Sequence, residues 1–241
     1  ASSSHALGSA YDEIALGRQD RMIVVGAEEC AAESILPFDA MRALSTHADP
    51  DMACRPFDQA RDGFVVSGGA VALVLERASL AKRAPLARLL GWGQAADGYH
   101  VASPHPEGIG IVTAMKRALQ FAKVDEAAID YVNAHATSTP AGDRAEALAL
   151  RSVFGSASPA VVSTKGLTGH GLSLSGVLEA ALTVLSLMGG FLPGNRNLKS
   201  PDEACEGLCL PTESMDADVK LAFNNSSGFG GANVCHVLAQ P

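Results

Sequence analysis

The chain has 241 residues, of which 47% are hydrophobic and 18% charged, so it is long enough for one or two domains with a sizeable core. Its formal net charge of -8 argues against nucleic-acid binding, which needs a clustered basic surface. No apolar stretch approaches the roughly 18 residues of a membrane span, and we recognise no secretory leader. Five cysteines without a C-x-x-C pair favour reduced thiols. We therefore expect a cytoplasmic protein with neither nucleic-acid nor membrane partners.

Hydrophobic periodicity predicts helices and strands in alternation. Helices are predicted at residues 3–17, 107–122, 143–154 and 172–187, the last being apolar nearly all round and therefore buried. Strands are predicted at residues 22–25, 71–75, 86–92, 129–132, 219–223 and 233–238. This order is typical of a layered α/β fold, with a boundary between two structural halves near residues 82–89. The segment 46–69 is predicted to be a long surface excursion, a type of segment that often carries function.

The first segment with candidate chemistry is 133–143, where a predicted strand runs into His135. Sites of α/β proteins gather at the carboxyl ends of strands, so an imidazole at this point is a candidate catalytic group. The alternative is an ordinary strand-to-helix loop, in which Asp143 caps the next helix and His135 is merely hydrogen-bonded.

The second segment is 163–170, immediately before the predicted buried helix. We expect the positive end of the helix dipole to lower the pKa of His170 and keep its imidazole neutral. A neutral imidazole can donate a hydrogen bond to a developing oxyanion, and Lys165 would add positive field at the same place. The alternative is a capping loop with a solvated lysine.

The third segment is the glycine-rich stretch 224–233, between the last two predicted strands. Glycines allow the backbone to approach a ligand closely and leave amide N–H groups free to point at it. Phe229 lies in this stretch, so its main-chain N–H joins His135, Lys165 and His170 as a candidate. The alternative is a simple hairpin turn. The stretch is not a dinucleotide-binding fingerprint, because it does not open a helix.

Taken in order, these segments resemble the β-ketoacyl-acyl-carrier-protein synthases of the elongating cysteine–histidine–histidine type. The resemblance covers essentially the whole chain and is carried by residues 38–45, 55–58, 61–64, 133–143, 165–170 and 228–231. His170 stands where the initiating, acetyl-CoA-using relatives have Asn, so the chain resembles the elongating enzymes.

The resemblance implies an α/β thiolase-like fold, in which two similar halves form a five-layered αβαβα sandwich, usually as a homodimer. Residues 1–88 would form the end of the first half and residues 89–241 the second half. The implied reaction is a decarboxylative Claisen condensation in fatty-acid or polyketide elongation: malonyl-acyl-carrier protein decarboxylates to an enolate, which attacks an acyl group held on a cysteine. No metal and no cofactor of the chain's own are implied, because phosphopantetheine arrives on the acyl-carrier protein.

By the same resemblance, His135 and His170 bind the malonyl thioester oxygen and stabilise the enolate. Lys165 supports this pocket electrostatically, with Glu146 as its expected partner. The main-chain N–H of Phe229 forms an oxyanion hole with that of the nucleophile. The remaining implied residues are Thr137 and Thr139 on the phosphopantetheine arm, Asp143 in a supporting role, and Arg42 facing the acidic carrier protein.

The nucleophilic cysteine that the resemblance requires is not among the residues of this chain. In the family it lies in a motif like Cys-Ala-Thr/Ser-Ser-x-His at a helix N-terminus, where the dipole favours the thiolate. Because the chain begins Ala1-Ser2-Ser3-Ser4-His5, we expect that cysteine immediately before Ala1. We therefore expect the chain to be the downstream portion of a longer enzyme, cut or interrupted at the nucleophile.

Three departures from the family pattern concern the pocket. Ala136 replaces a usual Gly, residues 171–176 replace a run of small residues, and Ser227 stands where a Phe precedes the Gly-Phe-Gly-Gly motif. These changes leave the preferred acyl chain length open.

Two alternative functions remain. The first is a non-catalytic partner subunit of the chain-length-factor type, which keeps the fold and lacks the cysteine. The joint presence of His135, Lys165 and His170 argues against it, because an inactive partner has no chemical need for all three. The second is a degradative thiolase, whose chain ending does not resemble Gly-Phe-Gly-Gly.

Overall fold

The computed structural model describes the backbone of residues 1–241 and every side chain except that of Ser156. Its helices are α1 (Ser2–Ala15), α2 (Ala32–Ala40), α3 (Ile109–Ala122), α4 (Pro140–Phe154), α5 (Lys165–Thr168) and α6 (Ser175–Gly189). Its strands are β1 (Arg21–Glu28), β2 (Gly69–Glu76), β3 (Arg88–Ala96), β4 (Tyr131–Asn133), β5 (Ala160–Val162), β6 (Phe191–Leu192), β7 (Met215–Asp216), β8 (Leu221–Gly228) and β9 (Ala232–Ala239). No helix of the described chain combines the length and apolarity needed to cross a membrane.

The large sheet has the strand order β3-β9-β8-β4-β5. Strand β9 runs antiparallel to both β3 and β8, whereas β4 is parallel to both β5 and β8. Strands β4 and β5 have only three residues each, all buried, so their sequences show no alternation. Because β4, β5 and β8 are parallel neighbours, their carboxyl ends lie along one edge of the sheet.

Four layers of secondary structure stack on one another. The antiparallel pair β1–β2 packs on α1 and α6, which lie between it and one face of the large sheet. The other face is covered by α3 and α4. Helix α1 approaches the large sheet closely, since a Cβ on Gly8 would lie 2.3 Å from the ring of Trp92. The packing places the N-terminus of α1 next to the turn after β8, where Ala1 lies beside Gly228.

Most predicted elements are present with shifted ends, and five elements were not predicted from the sequence: α2, α5, β5, β6 and β7. Helix α4 begins at Pro140, earlier than predicted, because Pro fits the first helical position. Helix α6 begins at Ser175, later than predicted, and it is not buried on every side, since Leu185 and Met188 are about half exposed while Glu179 is buried. Helix α2 contains Pro37, which disfavours a helix interior and hides this element from sequence analysis.

The prediction of a surface excursion at residues 46–69 is wrong for its central part. Phe57 is fully buried in the main core, and Arg61 is 7% exposed. The charge of Arg61 is tolerated there because Nη1 donates to Asp202 at 2.8 Å and Nε donates to the carbonyl of Thr139 at 3.1 Å. Residues 53–64 are therefore mostly buried, and Arg61 connects them to the loop after β4.

Candidate active site

The fold brings the three glycine- and histidine-bearing segments to one place. His135 follows β4, Lys165 follows β5 and Phe229 follows β8, so all three leave the same edge of the sheet. His170 lies in the loop between α5 and α6, and its ring centroid is 5.2 Å from that of His135. The predicted set thus converges because parallel strands present their carboxyl ends together.

The main chain of His170 is hydrogen-bonded to the end of segment 46–69. Its N–H donates to the carbonyl of Val65 at 2.8 Å, and its carbonyl accepts from the N–H of Ser67 at 3.1 Å. The ring of Phe64 meets the imidazole edge to face, with 5.0 Å between centroids. These contacts fix where the His170 ring lies before any ligand arrives.

Both imidazoles are neutral at physiological pH. Burial is the larger cause and the positive charge of Lys165 the next, and together they hold the pKa values of His135 and His170 well below the usual range. The helix dipole invoked from the sequence is therefore not the leading cause. A neutral imidazole keeps one N–H, so each ring offers one hydrogen-bond donor.

The expected pairing of Lys165 with Glu146 is wrong. Lys165 forms its ion pair with Glu179 of α6, and both side chains are almost completely buried. Burial raises the pKa of Glu179 to about 7, although the charge of Lys165 opposes that rise. The sequence contained one signal for this partner, because Glu179 is the single charged residue of α6.

Glu146 instead holds the loop that carries His135. Its carboxylate accepts the main-chain N–H of His135 at 2.8 Å and that of Ala136 at 2.6 Å. It also accepts from the side-chain amide of Asn225 on β8. Burial raises the pKa of Glu146, while the bond from Asn225 works in the opposite direction. Glu146 thus holds the main chain of the His135 loop, whereas Glu179 pairs with Lys165.

Asp143 does not cap α4, contrary to the alternative considered from the sequence. The helix starts at Pro140, and the buried Asp143 carboxylate accepts from the main-chain N–H groups of Phe57 at 2.8 Å and Ser138 at 3.1 Å. Burial raises the pKa of Asp143 to about 7. The carboxylate therefore connects segment 46–69 to the loop that carries Thr137 and Thr139. The hydroxyl oxygens of these two threonines lie 3.0 Å apart.

Phe229 lies at the outer side of the site, whereas Arg42 lies on the surface of the chain. Phe229 is 54% exposed, and its ring contacts that of Phe38 at 5.8 Å, which in turn contacts Phe64. Arg42 is exposed just after α2 and has a positive φ of 55°. An aromatic row thus runs from the surface at Phe229 to His170.

Comparison with known families identifies the chain's relatives. A model described as the N-terminal domain of β-ketoacyl synthases matches residues 1–81, and one described as the C-terminal domain matches residues 86–199. The chain belongs to the β-ketoacyl synthase family.

Individual relatives agree with this family. The chain is 41% identical to 3-oxoacyl-[acyl-carrier-protein] synthase 1 of Escherichia coli K12, over 99% of this chain and 59% of that protein. A β-ketoacyl synthase from Burkholderia phymatum STM815 has a TM-score of 0.95 and 38% identity, over 99% of this chain and 59% of that one. A type II polyketide ketosynthase in complex with its acyl-carrier protein has a TM-score of 0.95 and 30% identity, over 99% of this chain and 60% of that one.

The predicted thiolase-like α/β fold of this family is confirmed by these structural matches. The chain spans about three fifths of the length of the relatives it matches. Three residues of the candidate site of this β-ketoacyl synthase chain were not found from the sequence. Ser175 contacts His170, Glu179 contacts Lys165, and Asn225 contacts Glu146.

Proposed function

We propose that the complete protein of which this chain is part elongates acyl chains by decarboxylative Claisen condensation with malonyl-acyl-carrier protein, in fatty-acid or polyketide synthesis. One observation carries the proposal: two neutral imidazoles, His135 and His170, face one site beside a buried ammonium group, Lys165. This arrangement suits a reaction in which negative charge develops on an oxygen atom.

The histidines are assigned to the decarboxylation step. When the malonyl thioester loses carbon dioxide, the electron pair of the broken bond forms an enolate whose oxygen becomes negative. One N–H from each imidazole would stabilise that oxygen, as neutral imidazoles do in other enolate-forming sites. Burial is the larger cause that keeps His135 and His170 neutral, and the charge of Lys165 supports this role by lowering their pKa values further.

The nucleophile is assigned to the residue that precedes Ala1 in the complete protein, and we expect it to be cysteine. Ala1 stands at the N-terminus of α1, and a Cβ on Gly228 would lie 3.3 Å from the Cβ of Ala1. A residue bonded to Ala1 would therefore lie beside the turn that holds Phe229. A thiol at a helix N-terminus is favoured as the thiolate, and the N–H of Phe229 would stabilise the oxyanion when the enolate attacks the acyl thioester.

The substrate arm and the carrier protein are assigned to the outer part of the site. Thr137 and Thr139 would contact the phosphopantetheine arm, which the acyl-carrier protein brings, so that the chain needs no cofactor of its own. Arg42 is exposed and positively charged, as a contact for an acidic carrier protein requires. The net charge of -8 gives no general attraction for such a partner, so the contact depends on local basic residues.

The assembly is also part of the proposal. Residues 1–88 would complete the first thiolase-like half together with the portion that the relatives have and this chain lacks. Residues 89–241 would form the second half, and two copies of the complete protein would associate as a cytoplasmic homodimer.

The test uses the full-length protein, loaded with an acyl group and then given malonyl-acyl-carrier protein. We expect the β-ketoacyl product and an equal amount of carbon dioxide, both measured by mass spectrometry. Peptide mapping after alkylation should place the acyl group on a cysteine before Ala1. A different residue there, with no condensation product, would instead indicate the non-catalytic partner subunit.

A further inference from the structure

One hydroxyl group lies against His170 and is not used by the proposed mechanism. Ser175, the first residue of α6, places its Oγ 3.0 Å from Nδ1 of His170. Ser175 is 1% exposed and His170 9% exposed, so neither group has ready access to water. Their hydrogen bond therefore decides which ring nitrogen carries the proton.

Two arrangements of the proton are open to this pair. Either the Ser175 hydroxyl donates to an unprotonated Nδ1, or a protonated Nδ1 donates to Oγ. In the second arrangement the hydroxyl proton would need another acceptor, and the described hydrogen bonds of the chain give Ser175 Oγ none besides His170. A buried O–H without an acceptor is unfavourable, whereas unused lone pairs on Oγ matter much less. The first arrangement is therefore favoured.

The rest of the surroundings leaves the His170 ring little freedom to turn. The main chain of His170 bonds to Val65 and Ser67 on both sides, and the ring of Phe64 packs against the imidazole. With Nδ1 occupied by Ser175, Nε2 is the ring's remaining polar atom. His135 differs, since its buried Nδ1 has no partner among the described residues.

We propose that Ser175 is a positioning residue that holds His170 in the Nε2–H tautomer, so that this ring donates a hydrogen bond at the site. This inference rests on the proposed function, because donation matters only where an oxyanion develops. Without the Ser175 hydroxyl, His170 would exchange between tautomers, and the tautomer with a bare Nε2 would present a lone pair to the enolate oxygen.

The test compares three variants of the full-length protein. Ser175→Ala removes the hydroxyl, Ser175→Thr keeps it, and Ser186→Ala is the matched control, because Ser186 is also 1% exposed and lies about three turns further along α6. We expect Ser175→Ala to slow malonyl decarboxylation about tenfold relative to Ser186→Ala, while acyl loading changes less than about twofold. Ser175→Thr should restore most of the rate.

A spectroscopic measurement tests the tautomer itself. In protein labelled with ¹⁵N at histidine, with the His170 signals assigned from His170→Asn, we expect the wild type to carry its proton on Nε2. In Ser175→Ala the proton should be shared between the two nitrogens. A wild-type spectrum with the proton on Nδ1, or equal decarboxylation by Ser175→Ala and Ser186→Ala, overturns the inference.

The two proposals fail in different ways. A wild-type protein that decarboxylates no malonyl thioester refutes the proposed function, while the ¹⁵N spectrum still decides whether Ser175 fixes the tautomer. If Ser175→Ala does not fold, the wild-type spectrum and the rate of Ser175→Thr give the answer.

Discussion

Lys165 and Glu179 form an ion pair that is buried almost completely beside the two histidines. Lys165 comes from the short helix α5 and Glu179 from the long helix α6, so the pair also joins two elements of the site. The Lys165 charge lowers the pKa values of His135 and His170, and Glu179 is what makes that charge tolerable in the interior. The Lys165–Glu179 ion pair thus connects two helices and also places a positive charge beside the two histidines.

The ion pair gives a prediction for stability. Lys165→Met should lower the free energy of unfolding by about 3–5 kcal/mol, because it leaves Glu179 buried without its partner. The double variant Lys165→Met/Glu179→Leu should recover most of this loss, since no unpaired buried charge remains. Urea unfolding of the full-length protein measures both. A double variant as unstable as the single one would contradict this account.

The same double variant predicts a change in pH dependence. Removing the positive charge of Lys165 should raise the pKa values of His135 and His170, although burial, the larger cause of their lowering, remains. The imidazoles would then protonate at higher pH, so the acidic limb of malonyl decarboxylation should move to higher pH. Superimposable pH profiles of the wild type and the double variant would show that Lys165 does not control these groups.

His170→Ala separates the two half-reactions. Removal of one oxyanion donor typically lowers a rate by about 10²–10³, so malonyl decarboxylation should fall by that order. Acyl loading should remain largely intact, because the proposed loading step uses the nucleophile and the N–H of Phe229. Single-turnover assays of each half-reaction make the comparison, and an equal loss in both would refute the enolate role of His170.

The location of the candidate site was predictable in part from the sequence, because it depends on topology. His135 and Phe229 each follow a predicted strand, and parallel strands place such residues at one edge of the sheet. Strand β5, which precedes Lys165, was not predicted. The partner of Lys165 was not predictable from the strand pattern, because Glu179 reaches it from a different helix. Motif spacing therefore indicated where the candidate site lies, whereas the packing of α6 places Glu179 beside Lys165.

The least predictable region was the segment 46–69 with the preceding helix α2. Prolines and charges in this stretch indicate a surface loop, yet Arg61 and Phe57 are buried through contacts with distant parts of the chain. Helix α2 forms despite Pro37, with Phe38 packed on Phe64 and Phe229. In both cases long-range contacts override the local preference, and no periodicity in the sequence records them.

Asn225 and Asn224 offer a matched pair of variants on β8. Asn225 donates to Glu146, whereas Asn224 donates to the carbonyl of Gly176 at 3.3 Å, and both are fully buried. Asn225→Ala should raise the pKa of Glu146, since the lost bond favours the ionised carboxylate. A protonated Glu146 has one fewer acceptor for the loop of His135, so decarboxylation should fall off at higher pH than in the wild type.

Asn224→Ala is the control for this experiment, because it removes a buried amide without touching Glu146. Each variant should lose about 1–3 kcal/mol of unfolding free energy, as expected when a buried hydrogen bond loses one partner. Only Asn225→Ala should change the pH profile of decarboxylation. An identical shift in both variants would mean that general loosening of β8, and not Glu146, is responsible.

His236 predicts how stability depends on pH. It is fully buried on β9, its Nε2 lies 3.1 Å from the carbonyl of Ser4 in α1, and burial lowers its pKa from 6.5 to about 4. Between pH 6.5 and about pH 4, the imidazole is protonated in the unfolded chain but remains neutral in the folded chain. The free energy of unfolding therefore decreases as the pH falls through this window. Over that window the wild type should lose about 3 kcal/mol more than His236→Gln. Urea unfolding at several pH values measures the difference, in which the other titrating groups cancel. Parallel stability curves for the two proteins would show that His236 titrates as freely in the folded state as in the unfolded one.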